Sequence, residues 1–140
     1  MEKLKNIVAY SDDAIIWDGE IIIENNGVNK TIEGLVSNSY ESLVDDYLYG
    51  SISLDQMVLM LYRNKLDDEN NVINQDIELY NLHRIGKNLY EGVYSNVSDS
   101  EIYFCSINIK NKNISNEIKE EEKDNMKKLI KIKKEENIML

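Results

Sequence analysis

Nine tyrosines against a single phenylalanine, with one histidine and one cysteine, are the side chains through which this 140-residue sequence could do chemistry. Tyrosine joins a flat apolar face to a hydrogen-bonding tip, which suits binding surfaces and ligand pockets. Tyr47 and Tyr49 stand two residues apart, and Tyr90 and Tyr94 flank Gly92, so each pair projects from one side of an extended strand. With Trp17 they are the candidate ligand-binding set, whose rings either fill the interior of a closed sheet or line a cavity in it. His83 is the only imidazole and hence the default proton carrier near neutral pH, the alternative being a surface histidine at a strand end beside Arg84. Cys105 lies in Tyr103-Phe104-Cys105-Ser106-Ile107, the setting of a packed, inert thiol.

Carboxylates are the other resource. Asp67, Asp68 and Glu69, with Asp76 further on, place several hard oxygen donors in one polar stretch. The central glycine and terminal glutamate of an EF-hand loop are missing, so the stretch reads as a solvated loop. Asp12-Asp13 and Asp45-Asp46 are similar acidic pairs, at a turn and a strand end. One cysteine and one histidine exclude the common zinc constellations, and the dispersed glycines make neither a dinucleotide fingerprint nor a P-loop. The expectation is no catalytic residue, no metal and no cofactor.

The net charge of −10 is unevenly spread: residues 113–140 hold seven acids and seven lysines, leaving nineteen acids against nine bases in residues 1–112. An acidic body repels phosphate backbones and anionic membranes, so direct nucleic-acid or membrane binding is disfavoured and basic partners are favoured. The apolar stretch near the start, Ile7 to Tyr10, is too short for a signal peptide or a membrane span, and a lone cysteine suits a reducing compartment; the expected location is cytoplasmic. The absence of proline and the abundance of Asn, Ile and Lys point to a low-GC bacterium or phage.

These residues must be positioned by strands. From Ile15 to Ile109, β-branched and aromatic runs alternate with turns on Gly, Asn or Asp, the pattern of a mainly β, antiparallel meander. Strands are expected over 5–10, 14–17, 20–24, 28–36, 46–52, 56–63, 76–83, 88–95 and 101–110, with Asp18-Gly19 as a tight hairpin turn and 64–75 as an exposed loop. Gly34, Gly50 and Gly92 fall inside strands, where they permit the sharp bending of a barrel-like or strongly curved sheet. The pattern resembles small lipocalin-like or avidin-like barrels and carries over no functional residue. After Lys110 a C-terminal helix is expected from Ile114 to about Lys134, N-capped by Ser115, acidic early and lysine-rich late. Its thin apolar stripe requires support, by lying across one opening of the sheet, by pairing with a copy of itself, or by engaging another protein. The domain division is therefore 1–112, an acidic β domain, and 113–140, a helix and tail.

Two functions fit. The first is a non-enzymatic interaction protein, such as an inhibitor, immunity protein or phage counter-defence factor, that offers Asp12, Asp13, Asp45, Asp46, Asp67, Asp68 and Glu69 to a basic protein surface. The second is a small-molecule-binding barrel with Tyr47, Tyr49, Tyr90, Tyr94 and Trp17 as its pocket.

Overall fold

The computed structural model describes residues 2–37, 46–69 and 71–138. Eight strands follow one another: β1 (Glu2–Ser11), β2 (Ala14–Asn26), β3 (Asn29–Ser37), β4 (Asp46–Ser53), β5 (Gln56–Leu66), β6 (Val72–Gly86), β7 (Leu89–Asn96) and β8 (Ile102–Asn111). Each pairs antiparallel with the next, and β8 returns to β1 through partners such as Ile7 with Ile109 and Ala9 with Ile107, so the meander closes into a barrel. One helix, α1 (Asn116–Ile138), follows. Among the described residues no helix is long and apolar enough to cross a membrane.

Two local expectations are corrected. Asp18 and Gly19 do not turn the chain: they lie inside β2, paired with Val8 and Ile7 on one side and with Ser37 and Val36 on the other. The reversal is at Asp12-Asp13, both in the left-handed region at φ 50° and 64°, a backbone that short polar side chains tolerate. The polar stretch 64–75 is largely strand as well, because β5 and β6 run on past the apolar core and leave only residues 67–71 between them.

The alternation of each strand decides the interior. Trp17, Ile21, Ile32, Leu48, Met57, Leu59, Leu61, Tyr80, Leu82 and Ile107 are all at most 1% exposed and belong to one core. Burying each such side chain contributes about 1.5–3 kcal/mol. The run Met57 to Tyr62, apolar or aromatic at every position, resolves into an inward set (Met57, Leu59, Leu61) and an outward set of which Val58 is exposed and Tyr62 packs near the helix.

Glycine makes the coil tight enough to close. A Cβ on Gly19, Gly34, Gly50 or Gly92 would stand 2.1–2.3 Å from a backbone carbonyl oxygen of the adjacent strand, in every case that of the residue before its cross-strand partner.

The helix lies along the outer wall and not across an opening. Met126 and Ile130, one turn apart, cover Leu4, Ile22, Leu35 and Tyr47, which point outward from β1, β2, β3 and β4. Lys112 bridges Glu20 and Glu122 at 2.7 Å each, and Lys127 reaches Glu2 at 2.6 Å. The Ser115 hydroxyl accepts from the Ile118 amide, as the N-cap reading expects. The helix runs beyond its lysines, so its last turn holds no basic residue and the expected complement to the dipole is missing at that end.

Gly50→Ala is expected to lower unfolding free energy by about 1–3 kcal/mol, because the Val58 carbonyl 2.2 Å away is backbone and cannot step aside. Gly86→Ala, which meets only the Leu89 Cβ at 3.8 Å, serves as the tolerated control. Urea unfolding of both variants checks the difference; equal midpoints would remove the close-approach argument.

Candidate functional site

In an up-and-down barrel, alternate connections share an end. The β1–β2 turn, the β3–β4 connection, the β5–β6 turn and the β7–β8 turn are together at what we call the rim end; the β2–β3, β4–β5 and β6–β7 turns are at the far end. Sequence-distant acids therefore converge at the rim: Asp12 and Asp13, Asp67, Asp68 and Glu69, and, not anticipated, Asp99 and Glu101. Asp46 opens β4 at this same end, and Asp45 lies outside the described residues. Basic residues divide the other way. Arg63 and Lys65 are on the rim half of β5, whereas Lys3, Lys5, Lys30, Arg84 and Lys87 all belong to the far end.

The rim is held by its own carboxylates. Asp67 accepts from the amides of Glu69 and Asn71, at 2.9 and 2.8 Å, and those bonds hold its carboxyl below the ordinary range. Asp99 accepts from the Glu101 amide, and the Tyr103 hydroxyl donates between Asp99 and Glu101, which pushes the phenol up to about 12. Among the described residues no three potential metal ligands converge.

Beneath the rim, inward-facing groups form a buried network. The Trp17 indole donates to the Tyr80 hydroxyl at 2.8 Å, and that hydroxyl donates to Glu78 at 2.8 Å. Arg63 lies between Glu78 (3.4 Å) and Asp46 (3.7 Å), with its buried Nε close enough for ion pairing but without a hydrogen-bond acceptor. Leaving such a donor unmet costs about 1–3 kcal/mol, which the two flanking carboxylates offset through charge. Three rings lead outward from the core, Tyr80 stacked on Tyr94 at 5.0 Å and Tyr94 on Tyr103 at 5.1 Å. Burial and then the Glu78 charge push the Tyr80 and Tyr94 phenols up, and the same two causes bring the Cys105 thiol to about 12.

The tyrosines proposed as one pocket do not meet. Trp17 and Tyr94 fill the interior toward the rim, and Tyr90 faces inward nearer the far end. Tyr47 points outward, buried against the helix side of the wall with its hydroxyl on Glu33 at 2.7 Å, and Tyr49 is exposed on the same outer face. His83 is exposed on β6, opposite Gln56 and Glu91. Cys105 is buried and inward, as an inert thiol should be.

Phe104 was missed. It is 81% exposed on the outer face of β8, beside the Asp12-Asp13 turn, to which the Ser11 hydroxyl binds the Phe104 carbonyl at 2.8 Å. Together with Tyr10, Asp12, Asp13, Glu91 and Ser106 it borders a shallow groove. The signal was present: strict alternation sets Phe104 on the polar face of β8, with Ser106, Asn108 and Lys110. A second, smaller cavity of about 180 Å³ opens at the far end, lined by Lys3, Lys5, Lys30, Asn25, Asn88 and Tyr90 over Ile23, Ile52 and Ile109.

Comparison of the chain with protein-family models, with curated proteins and with solved structures finds no match in any of the three.

Two outcomes test the interior. The native thiol should react with Ellman's reagent at pH 8 only as fast as the chain unfolds; immediate reaction would contradict the packed, protonated Cys105. Tyr80, Tyr90, Tyr94, Tyr103 and Cys105 all hold protons more tightly folded than unfolded. Stability should thus be complete below the ordinary thiol and phenol values of about 8.5 and 10, and fall as pH rises from there toward 12. Denaturant midpoints that stay level from pH 8 to 11 would contradict this.

Proposed function

We propose that this protein is a binding module whose acidic rim, with Phe104 at its edge, occupies a basic surface on a macromolecular partner. The observation that carries the reading is the segregation of charge along the barrel axis, which sets Asp12, Asp13, Asp68, Glu69, Asp99 and Glu101 on neighbouring turns. A single-sign patch steers and selects an oppositely charged protein. An exposed aromatic ring beside it supplies the desolvated anchor on which binding energy concentrates. The partner class is a protein with a lysine- and arginine-rich face, as enzymes that handle nucleic acids present to phosphates, and the role is that of an inhibitor or neutralising factor. Among the described residues barrel closure leaves no free strand edge, so recognition falls to side chains and turns.

Affinity capture from the organism of origin tests it. Wild-type protein should retain a basic partner at low ionic strength and release it near 1 M salt, where the screening length falls to about 3 Å. A variant carrying Asp12→Asn, Asp13→Asn, Asp68→Asn and Glu69→Gln, which spares the turn-forming Asp67, should retain at least about tenfold less, and Phe104→Ala should weaken capture without altering its salt dependence. Capture indifferent to both salt and the rim substitutions would reject the reading.

A further inference from the structure

Independently of the rim, we infer that the far-end cavity is a binding site for a small organic anion, with a phosphate or carboxylate group at Lys3, Lys5 and Lys30 and an apolar body against Tyr90, Ile52 and Ile109. The argument begins with where the lysines are. In a chain of net charge −10, three ammonium groups line one cavity of about 180 Å³, and among the described residues none has a carboxylate partner. Lys5 donates to the Asn111 side-chain oxygen, a neutral acceptor that leaves its charge uncompensated. Four lysines outside the cavity do have carboxylate partners: Lys112 between two glutamates, Lys123 on Glu120, Lys127 on Glu2 and Lys133 on Glu136. What sets Lys3, Lys5 and Lys30 apart is that they share one concave opening. Unpaired cations gathered at a concave, partly apolar opening store repulsion that an anion relieves.

Lys5 records that repulsion. Burial first, then Lys3 and Lys119, lowers its affinity for a proton, so the local field is positive despite the acidic whole. Burial first raises the Tyr90 phenol, with Arg84 and Asp55 acting in opposite directions, so the ring stays neutral as the cavity's apolar wall. The apolar side is the barrel core itself, since Tyr90, Ile52 and Ile109 belong to it. A volume of this size holds about six waters' worth of ligand, which suits a compact molecule of roughly ten non-hydrogen atoms. Lysine, a strongly hydrated point charge without the guanidinium fork, suits phosphate as well as carboxylate and does not separate them.

Phenyl phosphate is the probe that joins both halves, with benzoate, inorganic phosphate and phenol as partial probes. In titrations followed by NMR on the intact protein, phenyl phosphate should shift signals of Tyr90, Ile52 and Ile109. Tighter binding of phenyl phosphate than benzoate assigns the head group as phosphate, and the reverse order assigns it as carboxylate. Inorganic phosphate and phenol should each bind at least tenfold more weakly than the better of the two. Lys5→Gln with Lys30→Gln should weaken binding tenfold or more, whereas Lys128→Gln on the exposed side of the helix should not change it. Shifts absent at millimolar probe, shifts mapping to another surface, or affinity equal in the double variant and the wild type would overturn the proposal. Because wild-type mapping alone can sink it, a variant that fails to fold does not shield it.

Discussion

An eight-stranded sheet closes only if its strands coil tightly enough for the first to hydrogen-bond the last, and here that coil depends on backbone meeting backbone where side chains are missing. Gly19, Gly34, Gly50 and Gly92 each admit a neighbouring carbonyl into the space a Cβ would fill. Gly34 and Gly50 sit opposite Ile21 and Leu59, and Gly92 opposite Leu82, so the approach is repeated around much of the wall. Once closure is set, the period of two assigns every residue to core or exterior, and a shift of one position would exchange the two sets. Trp17 and Tyr80, edge to face at 5.7 Å, then occupy the interior as packing and leave little room for a large central ligand.

Closure also sorts charge. Since connections alternate between ends, whether a turn carries acids or bases decides which end becomes which. Among the described residues the turns with two or more acids all fall at one end, the far end having Asp55 alone on its β4–β5 turn. The buried Asp46, Arg63, Glu78 and Tyr80 network sits just beneath them. Replacing such a network by apolar residues is often neutral or stabilising in other proteins, whereas removing a single member strands the rest. Beneath the rim, then, the network depends on all of its members being present. The helix does comparable work outside, where two apolar side chains and a few ion pairs cover outward residues that would otherwise leave Tyr47 and Ile22 wet.

Much of this was legible in the residues. Alternation and turn chemistry indicated an antiparallel, barrel-like sheet with a terminal helix, and three in-strand glycines announced its curvature. Asp18-Gly19 misled because a dipeptide preference is weaker than pairing on both flanks, which nothing local to the pair reveals. The 64–75 stretch misled because polar composition also describes strands that project beyond a core into solvent. Among candidate site residues, the acids of the β1–β2 and β5–β6 turns were readable as acids, but their common end depends on strand count and order, which are global properties. Tyr47 and Tyr49 were rightly given one shared face, and which face it was required knowing that the helix covers it. Phe104 alone was fully inferable, as a large apolar side chain out of phase with its neighbours.

The opposed ends have a further consequence. A molecule negative at one pole and positive at the other carries an axial dipole, so in the field of a large charged body it experiences a torque before any atoms touch. Encounters would then arrive already turned, rim first toward a cationic body and lysine pole first toward an anionic one, and the same barrel would show different faces to the two.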